Sequence, residues 1–215
     1  MINSIDDISK LLVSGFTDWG KYGAVYTKTD GDLLIFNYSP KAQYEGRWNF
    51  FERVSRGLIL NNKTGEVVAR PFDKFFNWLE SWKHMDMPMM QRATSAPIRR
   101  VYEKADGSLI ICYLHNGEIR CATRGSLDSE QSRWAMEIIE RYFTPMQEQE
   151  IRRMGTRYTF LFELIHPKDR KVVDYGGEER LVLLAMRHKE TGEYLDYDLL
   201  VGAEAYGFDV AKTIN

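Results

Sequence analysis

The dipeptide Asn116-Gly117, set between "SLIICYLH" and "EIRCATR", constrains this chain more than any other feature. A two-residue turn that matches the twist of its strands needs positive φ at both central positions, and Asn-Gly supplies that at little cost. With such a turn, His115 pairs with Glu118, Leu114 with Ile119, Tyr113 with Arg120 and Cys112 with Cys121. Alternation makes 112/121 a non-hydrogen-bonded pair, with Cβ atoms ~4.5–5.5 Å apart. The chain's two cysteines are therefore expected to be adjacent, reduced and buried, on the face shared with Ile110, Leu114 and Ile119. Two cysteines are too few for a disulfide framework or a zinc site, so packing is their expected role.

Other segments repeat the strand–turn–strand theme. Residues 24–38 read as a hairpin turning at Thr29–Asp32, and "RGLILN" with "EVVAR" as another, turning at Asn62–Gly65. "YTFLFELIH" reads as a strand, and "RLVLLAMRHKETGEYLDY" as a hairpin turning at Glu190–Glu193. Residues 98–114 are expected to form one continuous strand before the Asn-Gly turn. Helices come in blocks. They are 5–14, 128–143 with Asp128 and Gln131 as a D-x-x-Q capping box, and "PMQEQEIRRM" with Pro145 in its first turn. Trp134, Ile138, Ile139 and Tyr142 make the apolar stripe of the second block, whereas 41–52 reads as loop with weak helix. Strands that dominate without alternating strictly with helices point to an α+β fold on antiparallel sheets.

The 215 residues are 44% hydrophobic and 28% charged, enough for one substantial core. A formal charge of −2 removes any global basic signal for nucleic acid, so such a surface would be a local patch. Arg92, Arg99, Arg100, Arg152, Arg153 and Arg157 are the candidates for one. No apolar run reaches the ~18–20 residues that span a bilayer, and the N-terminus lacks a signal-peptide pattern. The expectation is a soluble, cytoplasmic chain without a membrane partner.

Chemistry centres on "YEKADGSL". A lysine amine is protonated and non-nucleophilic at neutral pH unless burial and nearby cations depress its pKa. Lys104 has Arg99 and Arg100 just upstream and Arg124 across the hairpin. Asp106 and Ser108 can hold a tight turn around it, and Gly107 allows close approach of a ligand. No G-x-x-x-x-G-K-[ST] loop is present. Arg56 opens an apolar strand, Lys74 lies among aromatics in "RPFDKFFN", and "TRGS" (123–126) is expected at a helix N-terminus, where N–H groups favour anions. Glu163 is a lone carboxylate within "TFLFELI", and a buried carboxylate must find a partner. Cations from several separated segments plus one inward carboxylate suit a polyphosphate nucleotide with its metal ion.

"SRGLIL", "RPFDKFFN", "EKADGSL", "TRGS" and "FLFELIHP" resemble, in order and spacing, the phage-type RNA ligases of the RNA ligase 1 family, within the covalent nucleotidyltransferases. The resemblance implies that 1–215 is a nucleotidyltransferase (adenylylation) domain, incomplete at its C-terminus. It implies that Lys104 attacks the α-phosphate of ATP to form lysyl-AMP, and that AMP then activates an RNA 5′-phosphate for attack by a 3′-hydroxyl. Arg56, Lys74, Phe76, Glu103, Lys104, Gly107, Arg124 and Glu163 are the implied ATP-binding set. Arg124 stands where relatives carry lysine. Glu163 is the implied metal-associated residue, for Mg²⁺ with Mn²⁺ as an alternative.

The family continues with E-G-x-V and K-x-K segments that are not found after Glu163 here. A further C-terminal segment and an end-healing kinase or phosphatase are therefore the implied partners, beside RNA with 5′-phosphate and 3′-hydroxyl ends. A split domain that binds ATP or RNA without completing catalysis is the alternative, and a DNA ligase or capping-type enzyme ranks below it.

Overall fold

In the computed structural model, which describes all residues except 47, 82, 85–90, 92, 93, 96–100 and 215, two antiparallel sheets are stacked between helical layers. The first sheet has the order β1 (Val25–Asp30), β2 (Leu33–Tyr38), β3 (Arg56–Asn61), β4 (Val67–Ala69). The second runs β10 (Asp209–Val210), β9 (Arg180–His188), β8 (Tyr158–Ile165), β6 (Ser108–His115), β7 (Glu118–Ala122). It is antiparallel except for β10, which joins β9 in parallel. A short pair, β5 (Val101–Tyr102) with β11 (Thr213–Ile214), lies apart.

The apolar runs are long because the central strands are buried on both faces. Leu33 and Ile35 of β2 meet Ile111, Tyr113 and Leu161 between the sheets, whereas Leu34 and Phe36 face outward. That outer face is covered by the helix α1 (Ile5–Val13), by Trp19 and by α3 (Phe50–Val54), with Phe36 and Phe51 fully buried there. Similarly, Phe160, Phe162 and Leu164 of β8 turn away from the first sheet. They pack against α5 (Glu130–Tyr142), α6 (Pro145–Met154) and the segment around Phe208. Short helices α2 (Pro40–Glu45), α4 (Trp78–Ser81) and α7 (Tyr197–Val201) complete the chain.

The Asn116-Gly117 hairpin has the expected register at every pair, with φ of 51° and 79° at the two turn residues. Cys112 and Cys121 face each other, both buried and free. Their mutual hydrogen bond, with burial, holds the Cys121 thiol well above its ordinary pKa.

Several expectations need correction. The strand drawn from 98 breaks at 103–107, because Glu103 bonds through its N–H to the Lys212 carbonyl and leaves the β6 line. The turn between β1 and β2 is confined to Gly31-Asp32. Residues 40–54 hold two short helices, the second capped by Asn49 and Glu52. The long helix begins at Glu130, with Ser129 in place of Asp128 as its N-cap. Ser129 and Ser132 form its capping box, while Asp128 pairs with Arg133 and Gln131 donates to Asp169. In its stripe, Ile138 and Ile139 are buried and Trp134 is partly so, but Tyr142 is exposed. After β9 the return strand shrinks to a single bridge, Arg187 with Tyr194, since the chain moves on into α7.

Candidate functional site

Gly57 lies where the two sheets approach each other closely. Its φ is +94°, and a Cβ there would lie 2.4 Å from Ile111 Cδ1 and 3.2 Å from Arg124 Cα. The preceding residue, Arg56 on β3, is thereby brought beside Arg124, which follows β7 in the other sheet. Arg124 Nη1 donates to the Tyr38 hydroxyl at 2.8 Å, with its guanidinium 5.1 Å from that ring. Arg56 lies 4.9 Å over the Phe75 ring. Burial holds its pKa below the usual arginine range, with the Arg124 charge adding to the effect and Tyr38 opposing it.

Lys74 joins the same cluster. Its amine donates to the Phe75 carbonyl at 3.0 Å and sits 4.6 Å from the Phe76 ring and 5.3 Å from the Trp48 ring. Burial lowers its pKa, Glu80 raises it, and the charges of Arg56 and Arg124 lower it further. Phe76 is half-buried, stacked 4.2 Å from His84 and in edge contact with Trp48. Beside Arg56 and Arg124 a cavity of about 410 Å³ opens, lined also by Tyr26, Asn37, Gly107 and Ser108. Asn37 is buried and donates to the Tyr26 hydroxyl at 2.7 Å.

The same cavity is lined by Gly107 and Ser108, which follow Lys104 in the chain. Gly107 N–H donates to Glu163 Oε1 at 3.0 Å, so the lone strand carboxylate has the partner that burial demands. A Cβ at Gly107 would lie 2.0 Å from the Leu164 carbonyl oxygen, so only glycine fits this approach. Burial raises the Glu163 pKa, the Gly107 hydrogen bond opposes that, and the positive charges of Lys104 and Arg56 also act on it. Glu163 thus lies in electrostatic reach of both.

Lys104 itself is exposed, contrary to the expected burial, and its charge acts on Glu163. Arg99 and Arg100 lie outside the described residues, as does Arg92. Asp106 does not close a local turn. Its carboxylate accepts the backbone N–H groups of Val172 and Val173 at 2.7 and 2.8 Å, and those bonds lower its pKa. Glu103 is exposed and lines a separate small cavity with Arg180 and Lys212 rather than the arginine cavity. The "TRGS" segment forms its own tight turn, Thr123 N–H to Ser126 O, ahead of the helix whose N-terminus Ser129 caps. Of the arginine surface, Arg152 and Arg153 are engaged by Glu148 and Glu150 on their own helix, and Arg157 covers Tyr158.

Tyr38, Asn37, Tyr26 and Trp48 escaped sequence reasoning. The available signal was Asn37-Tyr38, where polarity interrupts the apolar run of β2. Among the described residues, no group of three or more His, Cys, Asp or Glu side chains is placed to hold a metal ion. No helix among them is long and apolar enough to cross a membrane.

A cation cluster between two antiparallel sheets thus lies near the Gly107 turn and the Glu163 carboxylate. The RNA ligase family model matches residues 54–215, and the chain belongs to that family. A protein of Autographa californica nuclear polyhedrosis virus, described as a bifunctional polynucleotide kinase/RNA ligase, is 33% identical over 178 residues, covering 77% of this chain and 25% of its own. RNA ligase 1 of bacteriophage TS2126 is 31% identical over 144 residues, covering 66% of this chain and 36% of its own. The chain thus spans well under half the length of these relatives. An archaeal ATP-dependent RNA ligase has a similar fold, with a TM-score of 0.61 and 18% identity, covering 100% of this chain and 54% of that one.

Proposed function

We propose that residues 1–215 form the adenylylation domain of an ATP-dependent RNA ligase. The observation that carries this reading is the convergence of Arg56, Lys74 and Arg124, from separate segments, near the Gly107 turn and Glu163. Lys104 Nζ attacks the α-phosphorus of ATP. An N–P bond forms, the bond to the bridging oxygen breaks, and pyrophosphate leaves. The AMP then passes to an RNA 5′-phosphate, and a 3′-hydroxyl displaces it to form the phosphodiester.

Phosphoryl-type transfer is catalysed chiefly by positioning and charge neutralisation. Arg56, Arg124 and Lys74 supply both to the phosphates, with Tyr38 holding Arg124 by its 2.8 Å hydrogen bond. Phe76 and Trp48 provide an apolar wall. Because Lys104 is exposed, its desolvation on this reading comes with the bound nucleotide, which covers it. A magnesium ion is bound mainly through substrate phosphates and one or two carboxylates, which a single Glu163 fits; Mn²⁺ suits the same oxygens. When bound, the ion neutralises charge building on the phosphates.

The charged groups of E-G-x-V and K-x-K segments are not among these residues, so a further segment of the protein supplies them on this reading. A kinase or phosphatase that prepares RNA ends is the matching partner activity, and an enzyme using ATP and RNA works in the cell interior. Incubation with α-labelled ATP and Mg²⁺ tests the proposal: wild-type protein is expected to take up label and Lys104→Ala to take up none. ATP binding without label or pyrophosphate release would favour a binding module that needs a second segment.

A further inference from the structure

Three aromatic rings next to the cation cluster have no role in the chemistry above. Phe75 is 63% exposed and Tyr194 is 48% exposed. Phe72 links them, with its centroid 6.2 Å from Phe75 in edge geometry and 5.7 Å from Tyr194 in stacked geometry. Both outer rings also carry a guanidinium. Arg187 lies 5.0 Å over Tyr194 and is itself locked by two hydrogen bonds of 2.8 Å to Asp73. On the other side Arg56 covers Phe75 at 4.9 Å, and its charge reaches Tyr194.

The charge beside this ridge selects its occupant. Arg187 is compensated by Asp73, whereas Glu80 acts on Lys74 and Glu163 on Arg56 only electrostatically, so three cations, Arg56, Lys74 and Arg124, gather here. Exposed rings bordering this cation cluster match a ligand with flat π-faces on a polyanionic backbone. Single-stranded nucleic acid is that ligand, since every base can stack on an aromatic ring while cations track the phosphates.

We propose that Phe75, with Phe72 and Tyr194 packed behind it, stacks an unpaired base of the RNA strand next to the end being joined. This rests on the RNA ligase reading and adds where the strand lies.

The test uses the 215-residue chain and a 5′-phosphorylated single-stranded RNA octamer with 2-aminopurine near its 5′ end. Fluorescence quenching reports stacking, and titration reports affinity. Phe75→Ala is expected to lower RNA affinity by ~5- to 150-fold, the equivalent of one stacked base, and to relieve the quenching, and Tyr194→Ala to change both far less. Phe75→Trp is expected to retain both. An abasic octamer on wild-type protein should reproduce the loss without any substitution, and Phe75→Ala should lose little more on it. Affinity and quenching unchanged by Phe75→Ala, or equal binding of the abasic octamer, would overturn the stacking role, as would absence of RNA binding. Labelling of Lys104 by ATP, measured in parallel, reports on the ligase reading separately: label retained with no effect on RNA would sink the stacking role alone.

Discussion

Gly107→Ala is the sharpest single perturbation of this site. The added Cβ would lie 2.0 Å from the Leu164 carbonyl oxygen and 2.9 Å from its carbon, both backbone atoms that no rotamer change can move. Restoring an ordinary contact requires β6 and β8 to separate by about 1 Å at the Ser108–Leu164 pair. Overpacking of this kind costs ~1–3 kcal/mol. The separation also weakens the 3.0 Å bond from Gly107 N–H to Glu163, and a hydrogen bond to a charged group contributes ~1.5–3 kcal/mol. The combined loss is ~3–6 kcal/mol, a large share of the ~5–15 kcal/mol that stabilises a typical domain. Urea unfolding, with a slope of ~2–3 kcal/mol/M for a chain of this size, should show the midpoint falling by at least ~1 M. Labelling by ATP should fall with it, because Lys104 is three residues upstream on the same turn. A midpoint within ~0.3 M of wild type, with labelling intact, would refute the reasoning.

Three further outcomes follow. Burial raises the Glu163 pKa above the ordinary glutamate value of 4.5, so between that value and the raised one the native state holds more protons than the unfolded chain. Stability therefore falls as pH rises through this window. Glu163→Gln keeps an acceptor for Gly107 and should remove that slope in urea titrations across pH 4–8. Tyr38→Phe deletes the acceptor of the 2.8 Å Arg124 hydrogen bond; stability should change by no more than ~1.5 kcal/mol, while ATP labelling slows roughly tenfold. Asn116→Ala places an unsuited residue at φ 51° and should cost ~1–2 kcal/mol by thermal unfolding, with Asn116→Gly neutral and labelling unaffected by either.

Local rules made some of this molecule legible in advance. The Asn116-Gly117 turn specified five cross-strand pairs and the cysteine contact, because turn geometry and a period of two leave no slack in register. The lone carboxylate of β8 found its partner for the reason anticipated, that a buried charge must be hydrogen-bonded. What escaped depended on distant chain segments. Asp106 serves backbone 66 and 67 residues away, and nothing in "KADGS" announces residues 172 and 173. The helix cap slid from Asp128 to Ser129 because two adjacent residues both suit an N-cap, and Arg133 captured the aspartate. Gly57 looked like an ordinary strand glycine, yet it sets the separation of two sheets and brings Arg56 to Arg124. Lys104 was expected in a buried pocket because its neighbours in sequence were basic, but its exposed position follows from a turn that leaves the sheet.

The central claim is that one exposed amine, that of Lys104, is the group that takes AMP. Peptide mass mapping after incubation with ATP and Mg²⁺ tests it most directly. The account predicts an alkali-stable, acid-labile adduct of one AMP on the peptide that contains Lys104, absent from Lys104→Ala. An adduct on Lys74 or any other residue, or none from protein that binds ATP, would contradict it.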